Sequence, residues 1–316
     1  MRAGDRLALS RLLTEVENET PAGIESLDAL FPFTGQAHIV GVTGAPGAGK
    51  SSLVNRIAQQ LRQPGVDGKQ VKVAILAVDP SSPFTGGAIL GDRVRMRDIA
   101  SDPGIFIRSM ASRGALGGLA HSTAALSQAL DAAGYDVVII ETVGAGQSEV
   151  DIARLAHTTL VVDAPGMGDD IQAIKAGIME IADILVVNKA DRPGVEHAER
   201  ALRANLELAR ILHPETEQAW MPPVHCTIAT TGKGVEEVVQ SIRDHRAYLA
   251  RSGERIQRDR RRLEHELMSL LQSSLMQRWQ TALVDGIYQQ TLERLVQRTI
   301  SPFQAVEILL ENSGLQ

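Results

Sequence analysis

The sequence predicts an α/β fold in which a doubly wound, mostly parallel sheet is covered by helices on both faces. From residue 36 onward, short apolar segments alternate with helical patterns, which is typical of successive βαβ units. These segments are continuous runs of Val and Ile, as expected of strands buried on both faces. With 316 residues, 44% of them apolar, the chain is long enough for one large domain and a smaller appendage.

Short apolar runs bounded by turn residues are predicted as the strands of this sheet. They are residues 37–43, 71–78, 105–107, 136–141, 158–163, 184–188 and 224–227.

Helical segments flank the alternating region. Apolar residues recur with helical spacing between residues 5 and 30. Beyond residue 244 a long polar helix carries an apolar stripe at four-residue intervals, formed by Leu263, Leu267, Leu271, Leu275 and Trp279. An α/β domain has no core in which so long an apolar stripe could be buried. We therefore expect the stripe to pack against a neighbour or a second copy of the chain. The predicted organisation is an N-terminal helical extension (1–35), an α/β domain (36–243) and a C-terminal helical arm (244–316).

Charge and composition limit the possible partners. The formal net charge of −6, with both signs interspersed, provides no electrostatic footprint for a nucleic acid. The basic run 258–262 is interleaved with acidic residues, so we interpret it as a solvated helix face. A single cysteine, Cys226, excludes an internal disulfide framework and is typical of the cytoplasm. No apolar run approaches the roughly 18 to 20 residues of a membrane span, so neither nucleic acid nor membrane is an expected partner.

The segment GAPGAGKSS, residues 44–52, contains a complete G-x-x-x-x-G-K-S motif between a predicted strand and an amphipathic helix. Backbone N–H groups in such a P-loop surround phosphate oxygens at the positive end of the helix. Lys50 is predicted to contact the β- and γ-phosphates and the Ser51 hydroxyl to bind Mg²⁺. The candidate phosphate-binding residues are Gly44, Ala45, Pro46, Gly47, Ala48, Gly49, Lys50, Ser51 and Ser52.

The base is indicated by NKAD, residues 188–191, which follows an apolar strand. The Asp191 carboxylate can accept hydrogen bonds from the N1–H and 2-amino groups of guanine, a donor pattern that adenine lacks. Asn188 is expected to hold neighbouring loops, and the Lys189 stem to cover the plane of the base. The motif therefore predicts GTP, with GDP as product, rather than ATP.

Acidic residues near strand ends are candidates for magnesium binding and hydrolysis. Glu141 ends a predicted strand, and Gly144 beyond it can donate its N–H to a γ-phosphate. Asp79 ends another strand, and Asp92 lies in a glycine-rich segment suited to change with nucleotide state. Both aspartates could instead be ordinary cap or turn residues. Small signalling GTPases have a water-orienting Gln where this chain has Ala145, so we expect slow intrinsic hydrolysis.

Taken together, these segments resemble the MeaB/ArgK family of P-loop GTPases. The resemblance is carried by residues 44–52, 77–96, 106–120, 135–153, 168–191 and 230–238. Its most specific part is the combination DPSSP…GGxxLGD with ETVGxGQSE. It implies a GTPase chaperone that gates cofactor loading, protection and reactivation of an adenosylcobalamin-dependent acyl-CoA mutase, such as methylmalonyl-CoA mutase. It also implies a homodimer formed through the C-terminal helices.

The resemblance also implies roles for single residues. Ser51, Asp92 and Glu141 would lie in or near the Mg²⁺ sphere, with Asp79 close by, and the segment after residue 163 would be a switch that communicates with the mutase. A loop at Ile228, Ala229 and Thr230 would contact guanine O6 through a backbone N–H. The family usually has Ser-Ala in this loop, whereas this chain has Ile228-Ala229. The backbone contact survives that difference, and bracing by a serine hydroxyl does not.

Other interpretations stay open at this point. A metal-delivering GTPase needs soft or imidazole ligands, whereas the eight histidines of this chain are scattered. A transport-linked ATP-dependent kinase conflicts with the NKAD motif. A purely structural dimer module would leave the acidic strand ends unexplained.

Overall fold

The computed structural model confirms the predicted α/β fold with a mostly parallel sheet. It describes residues 5–64, 68–80, 96, 98–112, 118–142, 148–166, 179–212, 220–283 and 286–312. The strands are β1 His38–Gly44, β2 Val73–Pro80, β3 Ile105–Ser112, β4 Val137–Thr142, β5 Thr158–Asp163, β6 Ile184–Asn188 and β7 Val224–Thr227. Their order is β3-β2-β4-β1-β5-β6-β7, and each neighbouring pair is parallel.

The helices connect and flank these strands. They are α1 Arg6–Glu17, α2 Pro21–Leu30, α3 Lys50–Leu61, α4 Gly118–Ala132, α5 Ser148–Leu155, α6 Val195–Leu212, α7 Val235–Ser252, α8 Glu254–Ala282, α9 Ile287–Val296 and α10 Pro302–Glu311. Within the described residues, no helix is long and apolar enough to cross a membrane. The chain forms two compact units, Met1–Arg262 and Leu263–Gln316, so α7 and the first turns of α8 belong to the same unit as the sheet.

The predicted strands agree closely with the observed ones, except that β3 continues five residues beyond the predicted end at 107, to Ser112. The predicted strand ends too early because polar residues such as Arg108 interrupt the apolar run in this extension. Arg108 pairs with Glu17 of α1. This ion pair offsets the free-energy cost of placing the arginine charge in a packed strand.

Successive side chains of the strands alternate between the two faces of the sheet, as a period of two requires. One face, which includes Val40 and Val42 of β1, packs against α3 and α7. The opposite face includes Ile39 and packs against α1, α4 and α5, while its β5–β7 half packs against α6. The N-terminal helical segment is therefore part of the core of the α/β unit.

The basic run in α8 differs from the sequence interpretation. Arg258 donates to both carboxylate oxygens of Asp183, at 2.9 and 2.8 Å. Arg262 pairs with Asp259 at 2.9 Å. The interpretation as a solvated face is therefore wrong for Arg258 and Arg262, because these two carboxylates offer partly buried partners. The neighbouring positions 260 and 261 are exposed.

A cluster of buried histidines lies beside these ion pairs, at the amino-terminal edge of the sheet. The Ile39 N–H donates to His157 Nδ1 at 2.9 Å, so the ring proton lies on Nε2, which donates to Asp259 Oδ1 at 2.9 Å. Burial lowers the pKa of His157 to about 4. Because Asp259 already pairs with two arginines, it does not need a positive charge on the imidazole.

His245 of α7 is held in the same cluster. Its Nδ1 lies 2.8 Å from Thr158 Oγ1, which also lies 2.7 Å from Nε2 of His38. Burial lowers the pKa of His245 to about 4 and that of His38 well below its usual value. The charged groups that act on His245 are Asp183, the Arg258 that pairs with it, and Glu254. The folded chain therefore keeps these imidazoles neutral at neutral pH.

We predict that the stability of the fold falls as the pH is lowered from 6.5 to 4. His157 and His245 have lower pKa values in the folded than in the unfolded chain, so unfolding takes up protons within this pH window. The stabilisation that comes from keeping these two imidazoles neutral is fully present above pH 6.5 and is lost as the pH falls towards 4. Two such groups correspond to a slope of about 2 kcal/mol per pH unit near pH 5. Urea unfolding followed by circular dichroism at several pH values measures it. A free energy of unfolding that is constant between pH 6.5 and 5 would contradict the assignment of neutral, buried imidazoles.

Candidate nucleotide-binding site

The predicted site residues follow strands whose carboxyl ends lie at one edge of the sheet. The P-loop follows β1, Glu141 lies at the end of β4, NKAD begins in the last residue of β6, and the loop at Ile228 follows β7. All these strands are parallel, so their carboxyl ends face the same side. In doubly wound sheets, ligands bind at this edge.

The P-loop leads directly into α3. The buried Lys50 is the first residue of this helix, and its Nζ donates to the carbonyls of Gly44 at 2.8 Å and Ala45 at 3.0 Å. The ammonium group is therefore held inside the loop by loop carbonyls. Ser51 and Ser52 occupy the first helical turn. The start of a helix is a site at which backbone N–H groups can bind an anion.

Two glycines of the loop cannot be replaced without moving its neighbours. Gly44 has φ +131°, and a Cβ there would lie 1.9 Å from the backbone oxygen of Val162 in β5. Gly49 has φ +92°, and a Cβ there would lie 2.4 Å from Asn188 Nδ2. The loop is therefore packed against β5 and the NKAD segment, which explains why these positions are glycine.

The Ser51 hydroxyl donates to Glu141 Oε1 at 2.6 Å, and both side chains are buried. The parallel pairing of β1 with β4 places Glu141 opposite Val42, two residues before the P-loop begins. A hydroxyl and a carboxylate are the hard oxygen ligands that Mg²⁺ prefers, so this pair fits the predicted cation. Asp79 is the last residue but one of β2 and pairs with Ala111 of β3. Its side chain lies outside the described part of the structure, and so do the whole of Asp92 and the whole of Gly144.

Asn188 joins three loops through one buried side-chain amide. Its Nδ2 donates to the carbonyl of Ala48 in the P-loop at 2.8 Å. Its Oδ1 accepts from the Thr227 hydroxyl and from the Ala229 N–H, both at 3.1 Å. The sequence assigns Asn188 to holding neighbouring loops, and these contacts show which loops it holds.

The other NKAD residues lie around this junction. Lys189 has φ +57° and donates from Nζ to the carbonyl of Gly47 at 2.6 Å, so its stem extends across to the P-loop. The next residue, Ala190, donates its N–H to the carbonyl of Thr227 at 2.9 Å, which ties this turn to the end of β7. Asp191 follows and is exposed. Its carboxylate is therefore accessible to a base.

The loop after β7 is closed by backbone hydrogen bonds. Ile228 donates its N–H to Lys233 at 2.9 Å, and Gly232 donates to the Ile228 carbonyl at 2.9 Å. Ala229 is buried and Thr230 is exposed. The loop then leads through Gly234 into α7.

Arg56 of α3 also contacts this loop. Its Nε donates to the Ala229 carbonyl at 3.1 Å and its Nη2 to the Thr230 carbonyl at 2.8 Å. The sequence does not single out Arg56, because an arginine on a polar helix face is ordinary and its partners lie about 170 residues away. The structure thus brings together the P-loop, Glu141, NKAD and the loop at Ile228.

Comparison with known proteins identifies relatives along the whole chain. Residues 9–283 match the family described as methylmalonyl Co-A mutase-associated GTPase MeaB. The chain is 44% identical over 313 residues to a GTPase of Pyrococcus abyssi, covering 98% of this chain and 94% of that one. It is 38% identical over 318 residues to GTPase ArgK of Escherichia coli, covering 98% and 94% of the two chains.

A solved structure is also similar to this chain over nearly its whole length. The fold is similar to that of a protein described as a LAO/AO transport system kinase, with a TM-score of 0.66 and 30% sequence identity over 98% of this chain and 94% of the other. The predicted family and enzyme class are confirmed by the family match and by these identities. The chain belongs to the MeaB family of P-loop GTPases.

Proposed function

We propose that this GTPase uses Mg²⁺ and GTP to gate cofactor loading, protection and reactivation of an adenosylcobalamin-dependent acyl-CoA mutase. The observation that carries the proposal is the Asn188 junction, which holds the P-loop against a guanine-recognition loop. The association with methylmalonyl-CoA mutase in the description of the matched family supports the choice of partner.

The phosphates are bound by the loop from Gly44 to Ser52. Lys50 places its ammonium beside the loop carbonyls, where it neutralises the β- and γ-phosphates. The N–H groups at the start of α3 complete the cradle. Gly144 is proposed to donate its N–H to the γ-phosphate.

Mg²⁺ is proposed to bind to Ser51 and to lie near Glu141. When bound, the cation neutralises charge between the β- and γ-phosphates. The 2.6 Å contact between the two side chains supports the assignment, because it shows two hard oxygens next to the phosphate loop. Asp92 is proposed to belong to the same sphere, with Asp79 close by.

Guanine is proposed to lie between the NKAD segment and the loop of residues 228–230. Asp191 accepts from N1–H and the 2-amino group, and a backbone N–H of the loop at residues 228–230 donates to O6. The exposed carboxylate of Asp191 and the position of Ala229 beside Asn188 support this arrangement. The aliphatic stem of Lys189 covers the base.

The C-terminal helices are proposed to form a homodimer in the cytoplasm. The predicted stripe of α8 is exposed in the single chain: Leu267, Leu271 and Leu275 have 64%, 46% and 48% of their surface accessible. Side chains of this type at four-residue intervals favour helix-to-helix packing with a second copy.

The mutase is the partner to be tested first. We expect slow phosphate release from Mg²⁺-GTP, none from Mg²⁺-ATP, and an increase of about tenfold or more when an adenosylcobalamin-dependent mutase of the same host is added, because a partner can supply a missing water-positioning or charged group. Steady-state phosphate release measures all three rates. GTP turnover that no such mutase changes would refute the chaperone role and leave the GTPase intact.

Lys50→Ala is predicted to weaken GTP binding or turnover by about 100-fold, because it removes a charged donor to the phosphates. Fluorescent GTP titration and single-turnover hydrolysis measure the loss. Lys69→Ala is the matched control, since the side chain of this lysine is 72% exposed and its Nζ pairs with Asp136 Oδ1 only at 3.8 Å. Equal GTP affinity in the two variants would be incompatible with the phosphate assignment.

Asp191→Asn is predicted to shift base selectivity from guanine towards xanthine. The asparagine amide can donate to the C2 carbonyl of xanthine, whereas the carboxylate accepts from the 2-amino group of guanine. Competition binding with GTP, XTP and ATP measures the preference. The assignment fails if the variant discriminates between GTP and XTP as strongly as the unchanged protein does.

A further inference from the structure

Arg56 is placed between the P-loop helix and the loop after β7. It lies six residues after Lys50 in α3 and is half-buried. Each of its three guanidinium nitrogens has an acceptor. Nε and Nη2 donate to the carbonyls of Ala229 and Thr230, and Nη1 donates to Gln59 Oε1 at 2.9 Å. The side chain is therefore fixed in one orientation.

The two carbonyls belong to successive peptide units of the loop. A planar guanidinium can donate to both from a rigid fork, whereas a lysine ammonium has no such geometry. Ala229 is consequently held at both ends, because its N–H donates to Asn188 Oδ1 and its carbonyl accepts from Arg56. Asn188 fixes this residue relative to the P-loop, and Arg56 fixes it relative to α3.

Backbone hydrogen bonds close the loop, but among those of the described residues none is made by Ala229 or Thr230. Ile228 has no hydroxyl to bond to the neighbouring backbone. The carbonyls of Ala229 and Thr230 are instead held by a side chain from outside the loop, that of Arg56.

We infer that Arg56 is a positioning residue for guanine recognition, which holds the loop of residues 228–230 where a backbone N–H of the loop meets O6 of the base. This inference rests on the proposed binding of GTP. Arg56 does not contact the nucleotide in this scheme. It acts by raising the fraction of molecules whose loop is in the binding-competent position, and the apparent dissociation constant changes in proportion to that fraction.

A nucleotide that lacks O6 distinguishes this role from a general structural one. 2-Aminopurine riboside triphosphate keeps the 2-amino group and the phosphates but has hydrogen in place of O6 and no hydrogen on N1. The loss of the N1–H contact to Asp191 is the same in every variant of Arg56, so the comparison is between the changes that each substitution causes. Arg56→Ala is expected to raise the dissociation constant of GTP about tenfold, as a loop that is competent one tenth of the time requires. The constant for the analogue should change less than about twofold, because it has no O6 to accept from the loop.

Dissociation constants are measured by competition against a fluorescent GDP, and kcat and KM by phosphate release. The kcat at saturating GTP should be unchanged and KM should rise. Arg56→Lys should fall between the unchanged protein and Arg56→Ala. Arg203→Ala is the matched control, since Arg203 also donates to a backbone carbonyl, that of Val224 at 3.1 Å, but at the other end of β7.

Three outcomes would overturn the inference: equal weakening of GTP and the analogue, unchanged GTP binding, or the same loss in Arg203→Ala. The unchanged protein also reports on the proposed function. If it binds GTP no better than ATP, guanine recognition itself is wrong. If it prefers GTP and Arg56→Ala keeps that preference, only the role of Arg56 is refuted.

Discussion

The nucleotide site depends on one buried amide, the side chain of Asn188. It donates to the P-loop and accepts from β7 and from the loop beyond it, so three segments from distant parts of the chain share a single reference point. A buried polar group of this kind stabilises the fold only when all its partners are present. The requirement extends to Gly49, because a Cβ there would meet the amide at 2.4 Å.

The opposite edge of the sheet is organised by charge. Arg258 and Asp183 join the start of α8 to β6, while His157 and Asp259 join it to β5. These groups lie in the same compact unit as the nucleotide site. Helix α7 connects the two edges, since it begins after the loop of residues 228–234 and carries His245 into the cluster. The start of α8 is thus held by polar contacts rather than by an apolar core.

Much of the fold could be predicted because strands that are buried on both faces appear in the sequence as continuous apolar runs. Runs such as ILVVN at β6 and TTLVVD at β5 admit few alternatives to a central parallel strand. The P-loop and NKAD were recognisable for a related reason: each needs fixed residue types at fixed spacing. Parallel topology then explains why segments that lie far apart in sequence meet at one edge.

Contacts made by ordinary polar residues could not be predicted in this way. Arg56 lies on a polar face of α3 and Arg258 lies in a helix with many charged residues. Local sequence patterns do not distinguish an arginine that reaches a distant carbonyl or carboxylate from one in water. The same holds for the extension of β3 through Arg108, whose charge is matched by Glu17 on another element. Such pairings are properties of the folded chain, so they become visible only in three dimensions.

The order of the strands places the segments assigned to nucleotide recognition apart from the segments proposed to respond to nucleotide state. Base and phosphate recognition is assigned to segments that follow β1, β6 and β7, and described side-chain contacts lock these segments to one another. The segments with Asp92, Gly144 and the proposed switch after residue 163 follow β2, β4 and β5 instead. Because these strands end at the same edge, each of these segments starts at the edge of the sheet that carries the P-loop. In the proposed scheme, a γ-phosphate can therefore act on them without disturbing the contacts that select guanine, as a GTPase requires if a partner is to sense hydrolysis while the nucleotide stays bound.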